Sequence, residues 1–74
     1  MTEPDHQSKK TIRQLREERG WSQLDLALQL GMEPGSVSAW ERGLRRPKPR
    51  SLLLLSLLFG VRVEAIAFGP GEQP

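Results

Sequence analysis

The sequence predicts an all-α fold, a compact bundle of about five short helices in a single domain. Three observations predict it. Apolar residues recur three and four apart, as in Ile12–Leu15, Leu26–Leu30 and Val37–Trp40, which is the period of a helix and not the alternation of a strand. Gly20, Gly31, Gly43 and Gly60 follow the apolar stretches, where left-handed cap residues end helices. No strand pattern and no internal repeat interrupts this order. The chain has 74 residues and no cysteine, so neither disulfides nor thiolate zinc sites staple it. Packing, alone or with oligomerisation, has to hold it.

The elements follow in order. Residues 1–8 are polar, contain Pro4 and the lone His6, and read as a disordered tail; the domain is expected over 9–68. Ser8 is the expected cap of a first helix that carries Ile12 and Leu15 on one stripe and ends at Gly20 after Arg19. Ser22 caps the second helix, Gln23–Leu30, and Asp25 three residues on completes a capping box. Trp21 before the cap and Leu26 inside the helix form a hydrophobic staple. Gly31 closes this helix, and Pro34 opens the third, Pro34–Arg42, at a position where its missing N–H costs nothing. A basic loop, Leu44–Lys48, leads to a fourth helix beginning at Pro49 or Arg50 and stopping at Gly60. A last short helix is expected over Val63–Ala67, and residues 69–74, "GPGEQP", as a second disordered tail.

Net charge is only +2, yet it is unevenly spread. Arg42, Arg45, Arg46, Lys48 and Arg50 fall close together, with no acid between Glu41 and Glu64. Lys9, Lys10, Arg13, Arg16 and Arg19 form a second group. Basic clusters on a nearly neutral chain point to an anionic partner. The second and third helices, joined by a glycine turn, make a helix-turn-helix. Leu26, Ala27, Leu30, Val37 and Trp40 clamp the pair, and Ala27 is small enough for the backbones to approach closely. Locked in this way, the third helix can enter a major groove.

At these residues the chain resembles the lambda repressor-like (XRE, Cro-type) helix-turn-helix family. The stretches that carry the resemblance are "SQLDLA", "LGM", "VSAWERG", "RRP" and "FGV", and it spans Ile12 to Ile66. The resemblance implies a small DNA-binding transcriptional regulator, a repressor, whose partner is double-stranded DNA. By position, it implies a phosphate contact for Gln23, at a helix N-terminus where free N–H groups favour anions. It implies a structural salt bridge between Arg16 and Glu41, which removes Arg16 from the DNA-binding set. Arg42, Arg45, Arg46 and Lys48 fall where family members approach the sugar–phosphate backbone; such contacts supply affinity more than sequence information.

The base-reading face departs from the family. Opposite Val37 and Trp40 lie Gly35, Ser38, Ala39 and Arg42, with Pro34 and Ser36 at the leading edge. Family members often carry glutamine or another long polar residue at the positions of Pro34, Gly35 and Ala39. Bidentate readout needs Asn, Gln, Arg or Lys, each good pair being worth roughly 1–3 kcal/mol, and only Arg42 has that reach here. Small residues leave specificity to DNA shape and water. The alternative function is therefore a protein-interaction module that retains the helix-turn-helix fold with weak or non-specific DNA binding.

The fourth helix is richer in leucine than one core face needs. With Leu52, Leu55, Ser56 and Phe59 inward, Leu54 and Leu57 point outward. With Val61, Val63 and Phe68 they form the expected interface of a symmetric homodimer, matched to a palindromic operator. Other classes are excluded by what is missing. "LLLLSLLF" is far short of the roughly 20 residues that span a bilayer. No pair of carboxylates and no nucleophile–base set suggests an enzyme, and no metal, cofactor or small-molecule ligand is expected within the domain. A cytoplasmic, nucleoid-associated location follows from this reading.

Overall fold

A computed structural model describes residues 9–68. The order is β1 (Lys10–Thr11), α1 (Ile12–Glu18), α2 (Gln23–Leu30), α3 (Pro34–Glu41), α4 (Pro49–Phe59), a 3₁₀ turn (Val63–Ala65) and β2 (Ile66–Ala67). The two disordered tails expected from the sequence, including Ser8 as a cap, lie outside the described residues.

Thr11 caps α1. Its hydroxyl accepts the backbone N–H of Gln14 at 3.0 Å, and the Gln14 side chain accepts the Thr11 N–H at 2.9 Å. The helix starts later than a Ser8 cap would require because Lys10 and Thr11 are extended and pair with Ile66 and Ala67 as parallel strands. This pairing also corrects two other expectations. A strand pair exists, and the expected helix over Val63–Ala67 is a single 3₁₀ turn, because its last two residues are spent in β2.

The centre of the chain folds as its spacing dictates. Ser22 and Asp25 form the reciprocal capping box of α2, at 3.0 and 2.8 Å. Gly31 ends α2 with φ +71°, a left-handed conformation that glycine adopts without the strain a Cβ brings. Pro34 sits in the first turn of α3, whose helical residues end at Glu41 with Arg42 as the C-cap, one residue short of expectation.

The core gathers one stripe from each helix: Ile12 and Leu15 of α1, Leu26 and Ala27 of α2, Val37 and Trp40 of α3, Leu55 and Phe59 of α4. Ile66 of β2 closes it. Ala27 and Val37 are fully buried, so α2 and α3 touch where the side chains are small. Trp21 packs against this core and meets Phe59 with ring centroids 5.9 Å apart, so the staple residue also holds α4.

Candidate nucleic-acid interface

The burial of Val37 and Trp40 sets the orientation of α3. With those two inward, Gly35 and Arg42 are exposed and Ser36, Ser38 and Ala39 are half-buried. A Cβ added at Gly35 would meet nothing within 4 Å. This outer face is therefore low in relief, with one long side chain, Arg42, at its C-terminal end.

Two segments meet α3 at that end, and a third follows them in the chain. Gln23, at the start of α2, donates its Nε2 to Glu41 in the last turn of α3 at 3.1 Å. The loop that follows folds back, and the backbone N–H groups of Leu44 and Arg45 both donate to the carbonyl of Ala39, at 2.9 and 3.4 Å. Pro47 is buried and leads into α4, leaving Lys48 and Arg50 exposed around its first turn. Among the described residues, the exposed side chains of Arg42, Arg45, Lys48 and Arg50 are engaged in no ion pair or hydrogen bond. Arg46 differs: its guanidinium lies 5.2 Å from the Phe68 ring centroid.

Most of the second basic group has partners within the molecule; Lys9 is exposed and has none among the described residues. Lys10 pairs with Glu18 at 2.7 Å and Arg13 with Glu17 at 3.1 Å. Arg19 stacks over Trp21 and Phe59, with its carbon 5.4 and 5.2 Å from the two rings, and donates to the Leu58 carbonyl at 3.3 Å. Arg16 meets Glu41 through Nε at 2.7 Å and Nη2 at 3.0 Å, and its Nη1 donates to the Trp21 carbonyl at 2.8 Å. The Arg16 and Glu41 side chains are only 11% and 5% exposed, which makes theirs a buried, bidentate pair. The Glu41 hydrogen bond, opposed by burial and supported by the charges of Glu41 and Glu17, raises the Arg16 pKa above the ordinary arginine range. Once these pairs are formed, the exposed cations without a partner among the described residues are Lys9 and the run Arg42, Arg45, Lys48 and Arg50 that ends and follows α3 in the chain.

Sequence reasoning missed two of these features. Gln23 is tethered to the Arg16–Glu41 pair, and Arg19 is held by aromatic rings. Neither has a periodic signature: Gln23 lies 18 residues from Glu41, and Arg19 reaches Phe59 across the fold as well as its neighbour Trp21.

On α4, Leu57 is 70% exposed and Leu54 38%; Leu53, which the sequence did not single out, is 55% exposed. Val61 and Phe68 are half-buried against the core, and Val63 is half-buried. Leu24, Leu28 and Leu44 are exposed elsewhere. Among the described residues, no group of three His, Cys, Asp or Glu is arranged to hold a metal ion, and no helix is long and apolar enough to cross a membrane.

Compared with known proteins, the chain matches the family model described as helix-turn-helix over residues 12–66. No curated protein and no solved structure gives a match.

Proposed function

Because the chain belongs to the lambda repressor-like helix-turn-helix family, a family of DNA-binding regulators, we propose that it is a repressor that places α3 in the major groove of double-stranded DNA. Gly35, Ser36, Ser38 and Ala39 face the base edges, and Gln23, Arg42, Arg45, Arg46 and Lys48 grip phosphates on either side. The observation that supports this reading is that Arg42, Arg45, Lys48 and Arg50, which end α3 or follow it in the chain, are exposed and have no ion pair or hydrogen bond among the described residues, while Lys10, Arg13 and Arg16 each have a carboxylate partner.

The short side chains of α3 make direct readout modest. Affinity comes mainly from phosphates, and sequence preference from Arg42 and from groove shape. The regulator acts as a homodimer through Leu54 and Leu57, with Val61, Val63 and Phe68 at the margin, and its operator is a palindrome with half-sites about one helical turn apart. Gly35 and Ala39 favour a second reading, a protein-interaction module, because a low, small-residue face suits a protein surface as well as a groove.

Selection of bound duplexes from a random pool tests the proposal. Enrichment of a palindromic sequence supports it. Absence of any retained duplex at low salt and micromolar protein overturns it in favour of the interaction module.

A further inference from the structure

We infer that Glu41 is a positioning residue for the phosphate contact of Gln23, an inference that rests on the DNA-binding reading above. Three helices meet at this carboxylate. Arg16 of α1 donates to it twice, and Gln23 of α2 donates Nε2 to its Oε1 at 3.1 Å. The Glu41 side chain is 5% exposed, so these protein donors stand in place of water.

An ionised carboxylate only accepts hydrogen bonds. Glu41 therefore engages the amino side of the Gln23 amide and excludes the flipped orientation, in which Oε1 would face it. One N–H of that amino group is used on Glu41 and the second is left for a ligand. A phosphate oxygen also only accepts. An untethered glutamine would present its carbonyl to the phosphate in one of its two orientations, where the contact fails. The tether removes that orientation and fixes the side chain before DNA arrives, which lowers the ordering cost of binding. Arg16 completes the device: its charge neutralises Glu41, which would otherwise stand as an uncompensated anion beside the incoming phosphate.

The test is a double-mutant cycle on DNA affinity with Gln23→Ala, Glu41→Gln and the two combined, using a short mixed-sequence duplex over a series of salt concentrations. Arg16→Met combined with Glu41→Met, which replaces the buried pair by apolar side chains, serves as a second route if Glu41→Gln does not fold. Thermal melting of each protein identifies the conditions in which all are folded. Each single change is expected to weaken binding about tenfold, the scale of one charge-assisted hydrogen bond. On the Gln23→Ala background the Glu41 change is expected to add no further loss. The Gln23 side-chain amide protons should be well separated by NMR in the free wild type, shift on adding DNA, and converge when Glu41 is replaced. Equal losses from the Glu41 change with and without Gln23 would overturn the inference while leaving the DNA reading intact, as would amide protons that ignore Glu41. Failure of the wild type to retain any duplex at low salt would overturn both.

Discussion

Arg16 and Glu41 stand 25 residues apart in the chain and are joined by two hydrogen bonds of 2.7 and 3.0 Å. The pair links α1 to α3, and removing one partner strands a buried charge. Glu41→Ala is predicted to cost about 3–5 kcal/mol, the usual penalty for breaking such a pair. The melting temperature should fall by roughly 15–30 °C, since about 1 kcal/mol moves a domain of this size by several degrees. Replacing both residues by methionine should cost far less, because no charge is left without a partner. Calorimetry of the three proteins measures the difference.

The same pair sets a pH expectation. Arg16 titrates above the ordinary arginine range because Glu41 hydrogen-bonds its charged form. A raised folded-state value means that the contribution is complete below the unfolded-state value and is lost only as pH rises through the folded one. The stability difference between wild type and Arg16→Met combined with Glu41→Met, which leaves no unpaired carboxyl behind, should therefore be unchanged between neutral pH and about pH 10, well below where arginine releases its proton. A difference that shrinks over that interval would contradict this assignment.

DNA affinity should fall steeply with salt. With about five cations at the backbone, from Arg42 to Arg50, the log–log slope is expected near −4 to −5 for each subunit engaged. Arg45→Ala should lower the magnitude of the slope by about 0.9, one released counterion. Arg13→Ala should leave it unchanged, since Arg13 is paired with Glu17 on α1. Fluorescence anisotropy across a salt series gives all three slopes, and binding of the wild type that is constant between low and moderate salt would rule out the phosphate grip.

The exposed leucines of α4 predict self-association. Leu54→Glu combined with Leu57→Glu should convert a dimer to a monomer in sedimentation without lowering the melting temperature of the monomer, because neither residue is in the core. A wild type that sediments as a monomer at high concentration would remove the dimer from the proposal.

Thr11→Ala should cost about 1 kcal/mol, the usual loss of an N-cap hydroxyl. It takes away the acceptor of the Gln14 N–H at the point where α1 leaves β1. Chemical denaturation reads the effect as a lower midpoint with an unchanged slope.

The helix pair was legible because its signals are local. Ser22 and Asp25 lie three residues apart, Gly31 stands at the end of an apolar stripe, and Val37 and Trp40 share the helical period. The charge cluster was also legible, but its meaning depended on subtraction. Only the fold shows that Lys10, Arg13 and Arg16 are neutralised while Arg42, Arg45, Lys48 and Arg50 are not. The Thr11 cap and the strand pair were illegible for a physical reason. Two residues per strand are too few to show alternation, and the partner of Lys10 is Ile66, at the other end of the domain. Leu53 escaped notice because a helical wheel ranks angles, while its exposure depends on how far neighbouring elements reach over α4.

Parallel strands cannot be joined by a tight turn; they need a long crossover. Here the crossover between Lys10–Thr11 and Ile66–Ala67 is everything else in the domain, all four helices included. In topological terms the helical body is one closed ring, and the strand pair is its clasp. Amide exchange at the two ends should therefore rise and fall together, and opening the clasp should free both ends at once while the packed α2–α3 pair stays shut.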